Sequence, residues 1–314
     1  MSRFKKIPFI FICVLVGSVF IISAISKLPS LEQFGWTIVE TSFLNWTAAE
    51  WIARILIGLE FFLGILFISH IRIKKIAVPL SLSLLTVFTI YLFLVIRLYG
   101  LHVNCGCFGE WIPMTTVQSI VKNMLLILLI LIVSYKSSEL QFKFIKPVTF
   151  IICLLSLLIP FLWLPPESIY IYEKEKPLHQ PIPLSLLYHS SINKAPDTEL
   201  RKGKHIISFM SLTCRFCRKA AKRLRIMKEK HPELPFYMVL NGDSTSLKEF
   251  FNDTRSSFID YSVFNGAEQF SQMNGGYGLP TIKWVMDTTV IKESNYINLD
   301  EKDILDWLNE DKQK

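Results

Sequence analysis

Long apolar runs fill the first half of the chain and give way to mixed polar and apolar positions in the second. Five runs, at about 7–26, 49–69, 76–98, 116–135 and 148–164, are mainly apolar, and a helix that crosses a bilayer needs ~20 such residues. The fifth is short and ends in Trp163-Leu164-Pro165-Pro166, an aromatic residue followed by helix breakers, as at a membrane interface. The pattern predicts a membrane all-α bundle of four to five transmembrane helices over 1–164. A proline-rich stretch of mixed charge, 165–196, reads as a linker, and 197–314 reads as an α/β domain.

Within that last segment, His205 to Met210 is a strand candidate, and Cys214 to Lys230 is strongly helical. A strand over Phe236–Leu240, helices over Ser246–Thr254 and Gly266–Met273, and a strand over Ile282–Met286 follow. A hairpin partner near Thr289–Lys292 and a helix over Leu299–Leu308 complete it.

Composition agrees with the two halves: 51% of the 314 residues are hydrophobic and 13% aromatic, high for one soluble domain. The formal charge of +8 does not argue for nucleic acid. Many of its lysines and arginines flank apolar runs, where they orient membrane helices. Arg3, Lys5 and Lys6 precede the first run; Arg72, Lys74 and Lys75 lie in the second loop; Lys136, Lys143 and Lys146 lie in the fourth. The first loop offers only Lys27, against Glu32, Glu40 and Glu50, and the third loop, 99–115, has no lysine or arginine. The alternation puts the N-terminus in the cytoplasm, and the third loop and the α/β domain outside it. A competing reading makes 1–26 a cleaved signal peptide ending near Ser23-Ala24-Ile25-Ser26, but its apolar core exceeds the usual ~7–15 residues. Cleavage would leave every cysteine of the two pairs below on the same side.

Four of the six cysteines fall in two short pairs, Cys105-Gly106-Cys107 and Cys214-Arg215-Phe216-Cys217. At the first turn of a helix, Cys214 would meet unsatisfied N–H groups and the positive end of the macrodipole. Both favour thiolate, and Arg215, Arg218 and Lys219 push the same way. Cys217, one turn on, is placed to resolve a mixed disulfide. A zinc site would need a second ligand pair, and His205 and His231 are poorly spaced for one.

The strand, the Cys-x-x-Cys at a helix start and Gly278-Leu279-Pro280-Thr281 before a later strand together resemble the thioredoxin fold family. The resemblance covers about the last 110 residues of the chain. It implies a cis Leu279–Pro280 bond facing the cysteine pair, with flanking backbone that holds an extended substrate. Arg215-Phe216 departs from that family's familiar Gly-Pro, so no redox potential is inferred.

Cys105 and Cys107, if bonded, would close a very small ring, and strain makes a disulfide more oxidising. Gly106 supplies backbone freedom for it; free thiols, metal ligands and intermolecular bridges are the alternatives. With Ser26-Lys27-Leu28, Leu59-Glu60-Phe61-Phe62-Leu63-Gly64 and Cys105-Gly106-Cys107-Phe108-Gly109, the first four spans resemble the MauE branch of the DoxX-like membrane family. That resemblance implies thiol redox chemistry outside the cytoplasm. A membrane bundle joined to a thioredoxin domain is similar in arrangement to bacterial vitamin K epoxide reductase homologues. It makes a membrane quinone a candidate cofactor by analogy only, because no Cys-x-x-Cys lies within a span.

Glu60 falls near the middle of the second run, where a carboxylate is expensive and often functional, with Arg54 and Lys122 as candidate partners. Interhelical glue is an equal reading. His102 could assist a thiol or simply be solvated, and Cys13 and Cys153 read as small buried hydrophobes. The expectation is a membrane-anchored thiol–disulfide oxidoreductase of a bacterial inner membrane. Its catalytic residues would be Cys214, Cys217, Cys105, Cys107 and Pro280, with exported cysteine-containing proteins as clients. Disulfide formation is weighed above two alternatives, a disulfide reductase and a client-binding maturation factor. A transporter would need a broken helix or an inverted repeat, and the sequence offers neither.

Overall fold

A computed structural model describes residues 7–42, 44–99, 114–136, 143–167, 177–188, 194–276 and 278–310. Cys105, Cys107 and His102 lie outside these described residues. The chain divides into two compact units, 1–167 and 168–314.

Among the described residues of the first unit, five helices are long and apolar enough to cross a membrane: α1 (Ile7–Lys27), α3 (Trp46–Ser69), α4 (Val78–Tyr99), α5 (Thr116–Lys136) and α6 (Ile145–Trp163). A short π-helical turn, Ile73–Ala77, leads into α4. The helices bury one face and leave another apolar. Phe11 is 68% exposed and Leu162 78% exposed, a surface that suits lipid rather than water.

The helix α2 (Leu31–Thr41) occupies a stretch that the apolar runs mark only as loop. Its buried residues Leu31, Phe34, Gly35 and Val39 recur at helical spacing, and its short apolar face joins Ala53, Ile57 and Phe61 of α3. A stripe of this kind does not raise mean hydropathy enough to be seen as a span.

The helix α3 is the hub, packing against α1, α2 and α6. Gly17 of α1 and Gly64 of α3 let these two backbones nearly touch. A Cβ on Gly17 would stand 2.7 Å from the Gly64 carbonyl oxygen, and one on Gly64 would stand 2.9 Å from that of Gly17. Small residues at such crossings are what permits close helix association in a membrane. Gly58 does the same toward the Leu157 backbone of α6.

The second unit is a six-stranded sheet in the order β1-β6-β5-β2-β3-β4: β1 (Pro177–Pro181), β2 (Lys204–Ser211), β3 (Phe236–Asn241), β4 (Asp260–Val263), β5 (Thr281–Met286) and β6 (Thr289–Ser294). Strands β2, β3 and β4 run parallel to one another, whereas β5 pairs antiparallel with β2 and β6. The helices are α7 (Arg215–Lys230), α8 (Ser244–Thr254), α9 (Ala267–Asn274) and α10 (Glu301–Asn309). Ile207 and Phe209 of β2 pack on one face with Tyr237, Val239, Val285, Phe270 and Met273. On β5, Trp284 packs against Trp307 of α10 with the rings tilted and their centroids 5.3 Å apart.

Residues 177–188 correct the expected linker. Strand β1 pairs with β6, and the 3-10 turn Leu184–Leu187 buries both of its end residues in the core. Two prolines in five residues disguise β1; at a sheet edge their missing N–H groups cost little. Strand β4 was also not expected, since four residues at the opposite edge carry only one buried position.

Candidate redox site

Strand β2 ends at Ser211, and a tight turn closed by Cys214 N–H donating to the Ser211 carbonyl at 3.2 Å delivers the chain to α7. Cys214 is the N-cap of that helix, with extended backbone and its sulfur accepting from the Cys217 N–H at 3.4 Å. The cap sulfur thus faces an open helix end, which favours negative charge as it develops. The Cys214 thiol lies 3.9 Å from the Leu279 carbonyl oxygen. The Leu279–Pro280 bond is cis, as the resemblance implied, so the structure brings Cys214, Cys217 and the Pro280 turn together. Thr281 braces that turn by donating to the Gly278 carbonyl at 2.8 Å.

The two thiols differ sharply. Both are free; Cys214 is half-buried, whereas Cys217 is 0% exposed and accepts from the Ser211 N–H at 3.3 Å. Burial pushes the Cys217 thiol up out of the ordinary range. Helical periodicity explains the contrast, because Cys217, Ala220, Ala221, Leu224 and Met227 share the buried face of α7.

The cations around the pair divide. Arg218 reaches Glu249 at 3.0 Å and Asp253 at 3.6 Å on α8, and Lys222 reaches Asp253 at 2.7 Å. Arg215 lies 4.6 Å above the Phe216 ring, with Lys219 at 5.7 Å. Phe216 itself is exposed, so the residue beside Cys214 offers an apolar ring flanked by positive charge.

In the bundle, Glu60 does not pair with Arg54. It takes Lys27 Nζ at 2.5 Å, with Lys27 2% exposed at the last position of α1. Arg54 instead donates to the carbonyls of Glu50, Leu164 and Pro165, at 2.8, 3.0 and 3.0 Å, tying α3 to the end of α6. Lys122 lines the same pocket as Glu60. The Lys27–Glu60 pair was missed because the two residues stand 33 positions apart. Both lie in stretches singled out by the MauE resemblance, and that was the available signal. Cys13 and Cys153 are free and pack in one apolar cluster of the bundle.

Residues 5–136 match the family model of methylamine utilisation protein MauE. With five spanning helices, this MauE-matching chain is a multi-pass membrane protein. It is 28% identical to Protein TlpB of Flavobacterium psychrophilum, over 90% of this chain and 90% of that protein. Among solved structures it is similar to a secreted disulfide oxidoreductase of Mycobacterium tuberculosis (12% identity, 34% of this chain and 80% of that one, TM-score 0.28). It is also similar to the thioredoxin domain of a Bacteroides vulgatus thiol-disulfide oxidoreductase (17%, 35% and 81%, TM-score 0.30). The second unit has the thioredoxin fold. A parallel strand leads into a Cys-x-x-Cys helix, and a cis proline opens the neighbouring antiparallel strand.

Proposed function

We propose that this chain is a membrane-anchored thiol–disulfide oxidoreductase of the cell envelope that makes disulfides in exported proteins. The supporting observation is the cysteine asymmetry at the start of α7: a half-buried Cys214 sulfur at a helix N-terminus, one turn from a buried Cys217 thiol. In the proposed cycle a client thiolate attacks the Cys214 sulfur of the oxidised pair and expels the Cys217 thiolate, giving a mixed disulfide. A second client thiolate then displaces Cys214, so the client is oxidised by two electrons and the pair reduced by two. A Cys105–Cys107 disulfide, exchanging with the reduced pair, would restore it. The proposal places the N-terminus in the cytoplasm and both cysteine pairs outside, on the distribution of lysine and arginine across the loops.

A quinone as the next carrier does not fit the polar pocket beside Glu60. That pocket has a volume of about 20 Å³, room for roughly one water. The test is the in-cell redox state of both pairs, by acid quench and mass-tag alkylation, in wild type and in Cys105→Ser/Cys107→Ser. Accumulation of reduced Cys214–Cys217 in the variant supports disulfide formation. An oxidised pair in the variant and a reduced one in wild type would reverse the direction. An unchanged pair would sink the relay.

A further inference from the structure

We infer that the pocket beside Glu60 is a water-holding, proton-exchanging site inside the helical bundle. Glu60 is 5% exposed, and only its Oε1 is engaged, by Lys27 Nζ. Its Oε2 is buried and has no hydrogen-bond partner among the described residues. A carboxylate offers about four lone-pair positions over its two oxygens, and leaving one oxygen dry in an apolar bundle is strongly unfavourable.

The pocket supplies what that oxygen lacks. Its polar lining among the described residues is Ser23 and Lys27 from α1 and Lys122 and Asn123 from α5, besides Glu60 itself, and apolar residues of α1, α4 and α5 complete the wall. The space for water centres, about 20 Å³, matches one water, and a buried water needs 2–4 polar partners, roughly what this wall offers. The same figure excludes a ring-sized ligand.

Lys27 is held at the pocket by more than Glu60. Its ammonium also donates to Ser23 Oγ at 3.0 Å and lies 5.7 and 5.4 Å from the Phe34 and Phe88 ring centroids. Ring faces attract a cation most when it is desolvated. A hydronium reaching the pocket gives its proton to Oε2 and leaves as water; Glu60 becomes a neutral acid whose other oxygen still accepts from Lys27. The inference stands on this pocket alone and does not need the cysteine relay.

The test is an acid-minus-neutral infrared difference spectrum of the full chain in lipid nanodiscs, in H2O and D2O. The expected result is a protonated-carboxyl band that disappears in Glu60→Gln, moves in Glu60→Asp and shifts in D2O. The band should persist in Cys105→Ser/Cys107→Ser, which separates this inference from the proposed function. A spectrum unchanged by Glu60→Gln overturns it, and so does a Glu60 band that D2O leaves in place, since that would mark a dry structural pair. Should Glu60→Gln fail to fold, a band unmoved in Glu60→Asp is the overturning result.

Discussion

Cys217 donates its backbone N–H to the Cys214 sulfur at 3.4 Å while its own side chain is 0% exposed. One thiol is therefore presented and the other withheld, across a single helical turn. The order of attack follows from that geometry. Cys217→Ser is expected to accumulate clients disulfide-bonded through Cys214, because the thiol that would expel them by re-forming the Cys214–Cys217 bond is gone. Cys214→Ser is expected to trap none. Non-reducing gels with mass spectrometry of the trapped species decide it, and clients trapped equally well without Cys214 would refute the assignment.

Burial of Cys217 also predicts a pH dependence. In the folded, reduced unit its thiol stays protonated above the ordinary value of 9.0, whereas the unfolded chain loses that proton. The unfolded state then binds fewer protons, so stability falls as pH rises. The contribution is whole below the ordinary thiol value and is lost above it, with a slope approaching about 1.4 kcal/mol per pH unit. Pulse proteolysis of the reduced protein from neutral to alkaline pH should show this slope, and Cys217→Ala should flatten it below pH 10.0, where Tyr237, pushed up to about 12 by burial, adds its own.

The Lys27–Glu60 pair predicts non-additivity. Removing one partner of a buried ion pair strands the other charge and costs on the order of 3–5 kcal/mol, whereas apolar replacement of both is often neutral. Lys27→Met is therefore expected to lower thermal stability in detergent clearly, and Lys27→Met/Glu60→Leu to recover most of the loss. Equal losses in the single and double variants would mean that the pair contributes nothing beyond its volume.

The crossing of α1 and α3 predicts a contrast among glycines. Gly17→Ala puts a methyl 2.7 Å from the Gly64 carbonyl oxygen, and overpacking of this kind costs roughly 1–3 kcal/mol. Gly35→Ala in α2 meets nothing closer than 3.9 Å and gains helix propensity, so it is expected to be neutral or stabilising by up to about 1 kcal/mol. Melting of the two variants, measured side by side, separates them.

The spans, the α/β pattern, the Cys-x-x-Cys at a helix start and the proline turn were all legible in the sequence. Each is written in a local signal: an apolar run long enough for a bilayer, a change of period, a motif of four residues. Short elements with weak local signals were not legible. Helix α2 hides in a polar average, and β1 carries two prolines that only an edge position excuses. Pairings over distance were not legible either. The sequence marked Glu60 as costly, but Lys27 became its partner only because Gly17 and Gly64 let α1 and α3 close against each other. Likewise, the spacing placed Cys214 and Cys217 one turn apart, and the core decided which of the two would be buried. Local chemistry fixes which residues can act; packing decides which of them meet, because burial and contact depend on neighbours that the linear order does not name.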